Sequence, residues 1–106
     1  MLEGFLYKVV EKEDCSAKVE LLPQSPIYAA HFPGFPVTPG VTLVQMALEL
    51  MGQQLRSAKD IKFVVPVLPS AEGTVLLYEW TIAEDRADVS VFLSDGTLCA
   101  KMTLGI

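Results

Sequence analysis

The sequence predicts an α+β domain in which one long helix lies inside a curved antiparallel sheet. Three observations carry that prediction. Strand-like stretches stand on both sides of a single helical one. From Val41 to Met51 that helical stretch is apolar on every side but one narrow stripe. A chain of 106 residues most readily wraps such a helix by curling its own sheet around it. One domain over residues 1–106 is expected, since no composition shift marks a linker and no internal repeat is present.

The elements follow in order. Phe5 to Val10 is mostly apolar, and Ala17, Val19 and Leu21 alternate with Lys18 and Glu20. With the charged turn Glu11–Asp14 between them, these make two antiparallel strands. Leu22 to Gly40 holds five prolines and two glycines, which excludes a lasting helix or central strand and predicts a loop. Loops of that length in small domains are commonly functional, and the one histidine of the chain, His31, lies in it. Thr38 can cap the following helix, with Pro39 in its first position and the pattern running from Val41 to Arg56. Thr42, Gln45, Glu49, Gln53 and Arg56 then share the polar stripe, and Gly52 weakens the last turn.

Ile61–Leu68, Val75–Ile82, Asp88–Leu93 and Thr97–Leu104 complete the strands. Pro69–Gly73, Ala83–Arg86 and Asp95-Gly96 form the turns between them. Pro66 restricts its run to an edge or bulged strand. A single layer leaves strand edges open, so pairing of edges between copies, as a dimer or larger homo-oligomer, is expected.

Composition removes several classes. A hydrophobic content of 51%, with five Phe, three Tyr and one Trp, excludes disorder. Thirteen acidic residues against eight basic ones, net −5, and no basic stripe argue against nucleic acid as a partner. No apolar run reaches the roughly 18–20 residues of a membrane span. No basic region followed by an apolar stretch marks a signal peptide, so the expected compartment is the cytoplasm. Cys15 and Cys99 stand alone with a single histidine, which offers no zinc-ligand set. They read as small buried or half-buried thiols.

The stretch His31-Phe-Pro-Gly34-Phe-Pro36-Val-Thr-Pro39-Gly40-Val41 carries the chemistry. It places an imidazole, with an ordinary pKa near 6.5, on a stiff loop that runs into a helix N-terminus. Unpaired amides at such a terminus carry about half a positive charge and polarise a carbonyl aimed at them. An imidazole nearby can take the proton adjacent to that carbonyl. The same residues also admit a purely structural role, with His31 capping a turn, the glycines serving the backbone and the prolines stiffening the loop.

That segment resembles the signature of the FabZ-type 3-hydroxyacyl-(acyl carrier protein) dehydratases, which adopt the hotdog fold. His31, Phe32, Pro33, Gly34, Pro36, Pro39, Gly40 and Val41 stand in that family's order and spacing. Lys62-Phe-Val-Val-Pro66-Val-Leu-Pro69 resembles the strand after the family's helix, and Ser94-Asp-Gly96-Thr-Leu-Cys-Ala100 its last hairpin. The resemblance implies a hydro-lyase without metal or cofactor. His31 would be the base removing the C2 proton of a 3-hydroxyacyl thioester. The Gly40 amide, with Val41 alongside, would bind the thioester carbonyl, and Phe32, Pro33, Gly34 and Pro36 would shape the loop and acyl tunnel. The acyl chain would ride on acyl carrier protein or coenzyme A.

The family's second catalytic residue, a Glu or Asp reaching across the dimer to protonate the leaving hydroxyl, falls here on Gln45. An amide cannot surrender that proton. Three remedies suggest themselves: Glu49 one turn on, His31 acting alone, or pairing with a homologous subunit that supplies the carboxylate. A non-catalytic acyl-binding subunit and a thioesterase on the same fold are the alternatives. Arg56, Lys59 and Lys62 would form a basic patch for an acidic carrier protein.

Overall fold

The computed structural model describes residues 1–30 and 37–106. Six strands, β1 (Tyr7–Lys12), β2 (Ser16–Leu21), β3 (Ser57–Phe63), β4 (Val75–Ala83), β5 (Arg86–Leu93) and β6 (Leu98–Gly105), form one antiparallel sheet. Their order is β1-β2-β4-β5-β6-β3, which leaves β1 and β3 at the edges. Period-two alternation places Val19, Leu76, Tyr78, Trp80, Val89, Val91, Met102 and Leu104 in the core. Against them lies the long helix α2 (Gly40–Met51), burying Leu43, Val44, Met46, Ala47, Leu48 and Leu50.

One row of register partners shows how the sheet seats the helix. Ala17, Tyr78, Val91, Ala100 and Phe63 face one another in turn across β2, β4, β5, β6 and β3. Tyr78 stands beside Ala17 in that row. Its buried hydroxyl donates to the Leu43 carbonyl at 2.9 Å, tying the sheet to the helix. Burial pushes the Tyr78 phenol well above its ordinary pKa, so it stays a donor.

Several boundaries differ from expectation, each for a local reason. The helix ends at Met51, not Arg56, because Gly52 turns left-handed (φ 68°) and sends its N–H to the Glu49 carbonyl. Gln53 N–H meanwhile reaches the Leu48 carbonyl, and the two bonds together close the helix end. Gln53 and Arg56 therefore leave the polar stripe, and Val41, 72% exposed, joins its open side. Thr38 does not cap the helix. The N-cap is Pro39, and the Thr38 hydroxyl is taken by the buried Tyr28 hydroxyl at 3.0 Å.

The proline-rich loop contains a short helix, α1 (Pro26–Ala30), begun by Ser25 and by Pro26, whose fixed φ suits a first turn. Strand β3 starts four residues before Ile61 and stops at Phe63, short of Pro66. It is an edge strand as expected, but its irregularity falls between Ala58 and Asp60. Cys99 is buried, whereas Cys15 is exposed in the β1–β2 turn. Among the described residues no helix is long and apolar enough to cross a membrane.

Candidate functional site

The start of α2 opens into an apolar cleft of about 350 Å³, lined by Val37, Gly40, Leu43, Phe63, Val65 and Val67 among others. Its walls are held by backbone bonds. Thr38 N–H donates to the Val67 carbonyl at 2.8 Å, and Val64 and Val65 N–H both reach the Cys99 carbonyl. Thr42 and Leu43 N–H close the first helical turn on the Pro39 carbonyl. The Gly40 and Val41 N–H groups have no acceptor among the described residues, as the first donors of a helix do not. Phe63 packs closely over the glycine at position 40. A Cβ there would stand 2.5 Å from Phe63 Cζ. Glycine at 40 thus lets an aromatic ring, itself half exposed, rest on the helix start.

One turn along, the open face of α2 carries a hydrogen-bonded hub. Gln45 Nε2 donates to Glu49 Oε2 at 3.1 Å, and Leu2 N–H donates to the same oxygen at 2.8 Å. Glu49 Oε1 accepts from Glu3 N–H at 3.1 Å and from the Tyr7 hydroxyl at 2.9 Å. Burial alone would raise the Glu49 pKa, but these four donors outweigh it and hold the carboxyl below its ordinary value. Burial and the neighbouring carboxylate push the Tyr7 phenol the other way, well above its ordinary range. Glu49 is therefore an ionised acceptor with its lone pairs engaged, and it does not present a proton to a substrate as the first remedy requires.

A stability prediction follows with a definite sign. The folded-state pKa of Glu49 lies below the unfolded one, so its contribution is present above the ordinary carboxylate range and lost as pH falls through the depressed value. At neutral pH, Glu49→Gln should cost about 1 kcal/mol, a figure reduced for its partial exposure. In urea titrations the gap from the unaltered protein should close on acidification. A gap independent of pH would contradict this account.

The predicted site residues divide into three groups. Gly40, Val41 and Gln45 lie together along the first turns of α2, Val41 and Gln45 on its open side. His31, Phe32, Pro33, Gly34 and Pro36 lie outside the described residues, although both flanks of that stretch are joined by the Tyr28–Thr38 bond. The basic residues lie along β3 and just before it, beyond the helix end at Met51. Arg56 and Lys59 line a small hollow with Asp85 beside the start of β3. Lys62 faces Lys101 across the β3–β6 ladder, a neighbour that only the strand register reveals.

The ApeI-like dehydratase family model matches residues 7–103. No curated protein matches. Among solved structures, the dehydratase heterocomplex ApeI:P from Xenorhabdus doucetiae is similar at 18% identity and a TM-score of 0.71, covering 93% of this chain and 96% of that one. A hypothetical thioesterase with coenzyme A from Streptococcus pneumoniae TIGR4 is similar at 13% identity and 0.59, covering 92% and 81%. The (R)-hydratase from A. caviae involved in PHA biosynthesis is similar at 15% and 0.53, covering 90% and 96%. These likenesses establish the hotdog fold. With nearly its whole length matched, the chain belongs to the ApeI-like dehydratase family.

Proposed function

We propose that this chain is a subunit of a cytoplasmic dehydratase acting on 3-hydroxyacyl thioesters, carried on acyl carrier protein or coenzyme A, in fatty-acid or related acyl-chain synthesis. The observation that carries the reading is the pair of amides at Gly40 and Val41, without an acceptor among the described residues, beside an apolar cleft. Such amides suit a thioester carbonyl and the enolate oxygen that develops from it, and the cleft suits an aliphatic chain. His31 removes the C2 proton, and Phe32, Pro33, Gly34 and Pro36 shape its loop. Water leaves from C3 as the C2–C3 double bond forms. Arg56, Lys59 and Lys62 offer cations to an acidic carrier protein.

Edge strand β3 bears the half-exposed Phe63, followed by half-exposed Val64, and Val41 stands open on α2. Apolar groups of this kind beside an unpaired edge favour assembly with another chain. One observation favours a homologous partner over a second copy. Gln45 cannot donate a proton, and Glu49 is already engaged by four donors. A heterodimer in which the partner supplies a carboxylate opposite His31 would keep one complete site, and the similarity to a chain of a dehydratase heterocomplex accords with it. Thioester hydrolysis on the same fold gains nothing from Gln45.

The test follows hydration of a trans-2-enoyl thioester by loss of its conjugated absorbance. Turnover by the protein, alone or mixed with a homologous subunit, should fall by about 10²–10⁴ in His31→Ala. Turnover unaffected by that substitution would overturn the reading. Activity that appears only on mixing would favour the heteromeric form.

A further inference from the structure

We propose that Arg56, Ser57 and Lys59 form a binding site for a phosphoryl group at the start of β3. This site narrows the carrier contact in the reading above and rests on that reading only for the source of the phosphate. The three residues line a hollow of about 230 Å³. Its frame is fixed by the backbone. Arg56 N–H donates to the Gly105 carbonyl at 2.7 Å and Ile106 N–H to the Asp85 carbonyl at 2.8 Å, which ties the approach to β3, the β4–β5 turn and the end of β6 together. A Cβ at Gly105 would collide with Ser57 Oγ and touch Lys59 Cε at 3.4 Å. Glycine leaves that space to the hydroxyl, with the lysine stem beside it.

A break in the ladder brings Lys59 here. Ala58 opposes Leu104 and Asp60 opposes Thr103, which leaves Lys59 as the extra residue of a bulge. In an unbroken ladder Lys59 would itself oppose Thr103. Bulges re-aim a side chain in this way, often beside a functional site. The cations are also free of carboxylates. Among the described residues the ion pairs are Lys8–Glu20, Lys18–Glu11 and Arg86–Asp88. Asp85 lines the hollow, yet none of these pairs joins it to Arg56 or Lys59. Arg86, the register partner of Gly105, has its guanidinium held by Asp88 at 2.9 Å.

A planar fork of N–H donors, a second cation and a hydroxyl in one small hollow suit a tetrahedral anion. A phosphate monoester brings three acceptor oxygens and nearly two negative charges, more than one carboxylate offers. The hollow stands at the other end of β3 from Phe63 and the apolar cleft, about 20 Å away at the usual rise of a strand. It therefore takes the carrier end of a thioester and not its acyl chain. The terminal monoester of coenzyme A and the phosphodiester of a carrier protein's pantetheine arm share the required chemistry.

Calorimetry with coenzyme A, dephospho-coenzyme A and inorganic phosphate tests the site. Coenzyme A should bind about tenfold more weakly to Arg56→Ala and to Lys59→Ala, the loss of one charge-assisted bond on an exposed surface. Asp85→Asn, which removes the one carboxylate lining the hollow, should tighten binding. Lys12→Ala, on the opposite edge strand, removes the same charge and should leave the affinity unchanged. Inorganic phosphate should compete with coenzyme A for the unaltered protein. Dephospho-coenzyme A keeps the phosphates next to the pantetheine arm and lacks the terminal monoester. If it binds weakly and ignores the substitutions, the monoester is the group held; if it loses as much as coenzyme A, the arm's own phosphate is. Equal losses in Lys12→Ala and Arg56→Ala would reduce the effect to overall charge and overturn the site. Coenzyme A binding that neither Arg56→Ala nor Lys59→Ala weakens, or no binding of coenzyme A or phosphate at all, overturns it as well. The dehydratase reading is decided separately, by the turnover of His31→Ala.

Discussion

Gln45→Glu should raise the dehydration rate by about 10²–10⁴, the usual worth of a positioned acid. The new carboxyl would stand where Gln45 Nε2 now lies, 3.1 Å from Glu49 Oε2. Two carboxylates that close repel, so the second of them ionises only at a raised pH. Leu2, Glu3 and Tyr7 all donate to Glu49 and keep it in the charged form, which leaves the proton on position 45. The variant would carry its acid protonated above the ordinary carboxylate range. Its gain should be full at low pH and fade as pH rises through the raised value. The cost to the helix is about 0.5 kcal/mol once both groups ionise. Combining it with Glu49→Gln removes the repulsion and with it the raised pKa, so the gain should shrink at neutral pH. A Gln45→Glu protein no faster than its parent at any pH would show that position 45 does not face the reacting hydroxyl.

Gly40→Ala should lower turnover by about 10²-fold, the effect of a small displacement at a reacting centre. The added methyl would meet Phe63 Cζ at 2.5 Å and Cε2 at 2.7 Å, so the ring must leave its place. Both the cleft wall and the approach to the Gly40 and Val41 amides change with it. Folding should survive, since Ala is the better helix former by about 1 kcal/mol and Phe63 is half exposed. Phe63→Ala in the same chain removes the collision and should recover much of the lost rate. Unchanged turnover in Gly40→Ala would detach the helix start from the chemistry.

The strands and the helix were largely legible because burial leaves a periodic trace. Val19, Val89 and Met102 alternate with polar neighbours, and their burial follows that alternation. Boundaries were less legible where a single residue could act in two ways. Gly52 reads equally as a weak helical residue or as a left-handed stop, and the bonds to Glu49 and Leu48 decide for the stop. Thr38 has the side chain of a cap, but Tyr28, ten residues earlier, claims its hydroxyl. The surroundings of the basic residues were hidden for the same reason. Contiguity in sequence placed Lys62 with Arg56 and Lys59, whereas the register sets it opposite Lys101.

By itself the sequence determined the α+β class, the helix with its polarity inverted, and the stretch from His31 to Val41 that carries the family's likeness. The alternation that encodes them records which face avoids water, and that force has no direction and needs no particular partner. Only the tertiary structure decided what surrounds Gly40 and what occupies Glu49. Phe63 arrives over Gly40 from an edge strand, and Leu2, Glu3 and Tyr7 reach Glu49 from more than forty positions away. Hydrogen bonds and close contacts are directional and short, so they depend on which atoms the fold brings within about 3 Å, a property that no local pattern of residues contains.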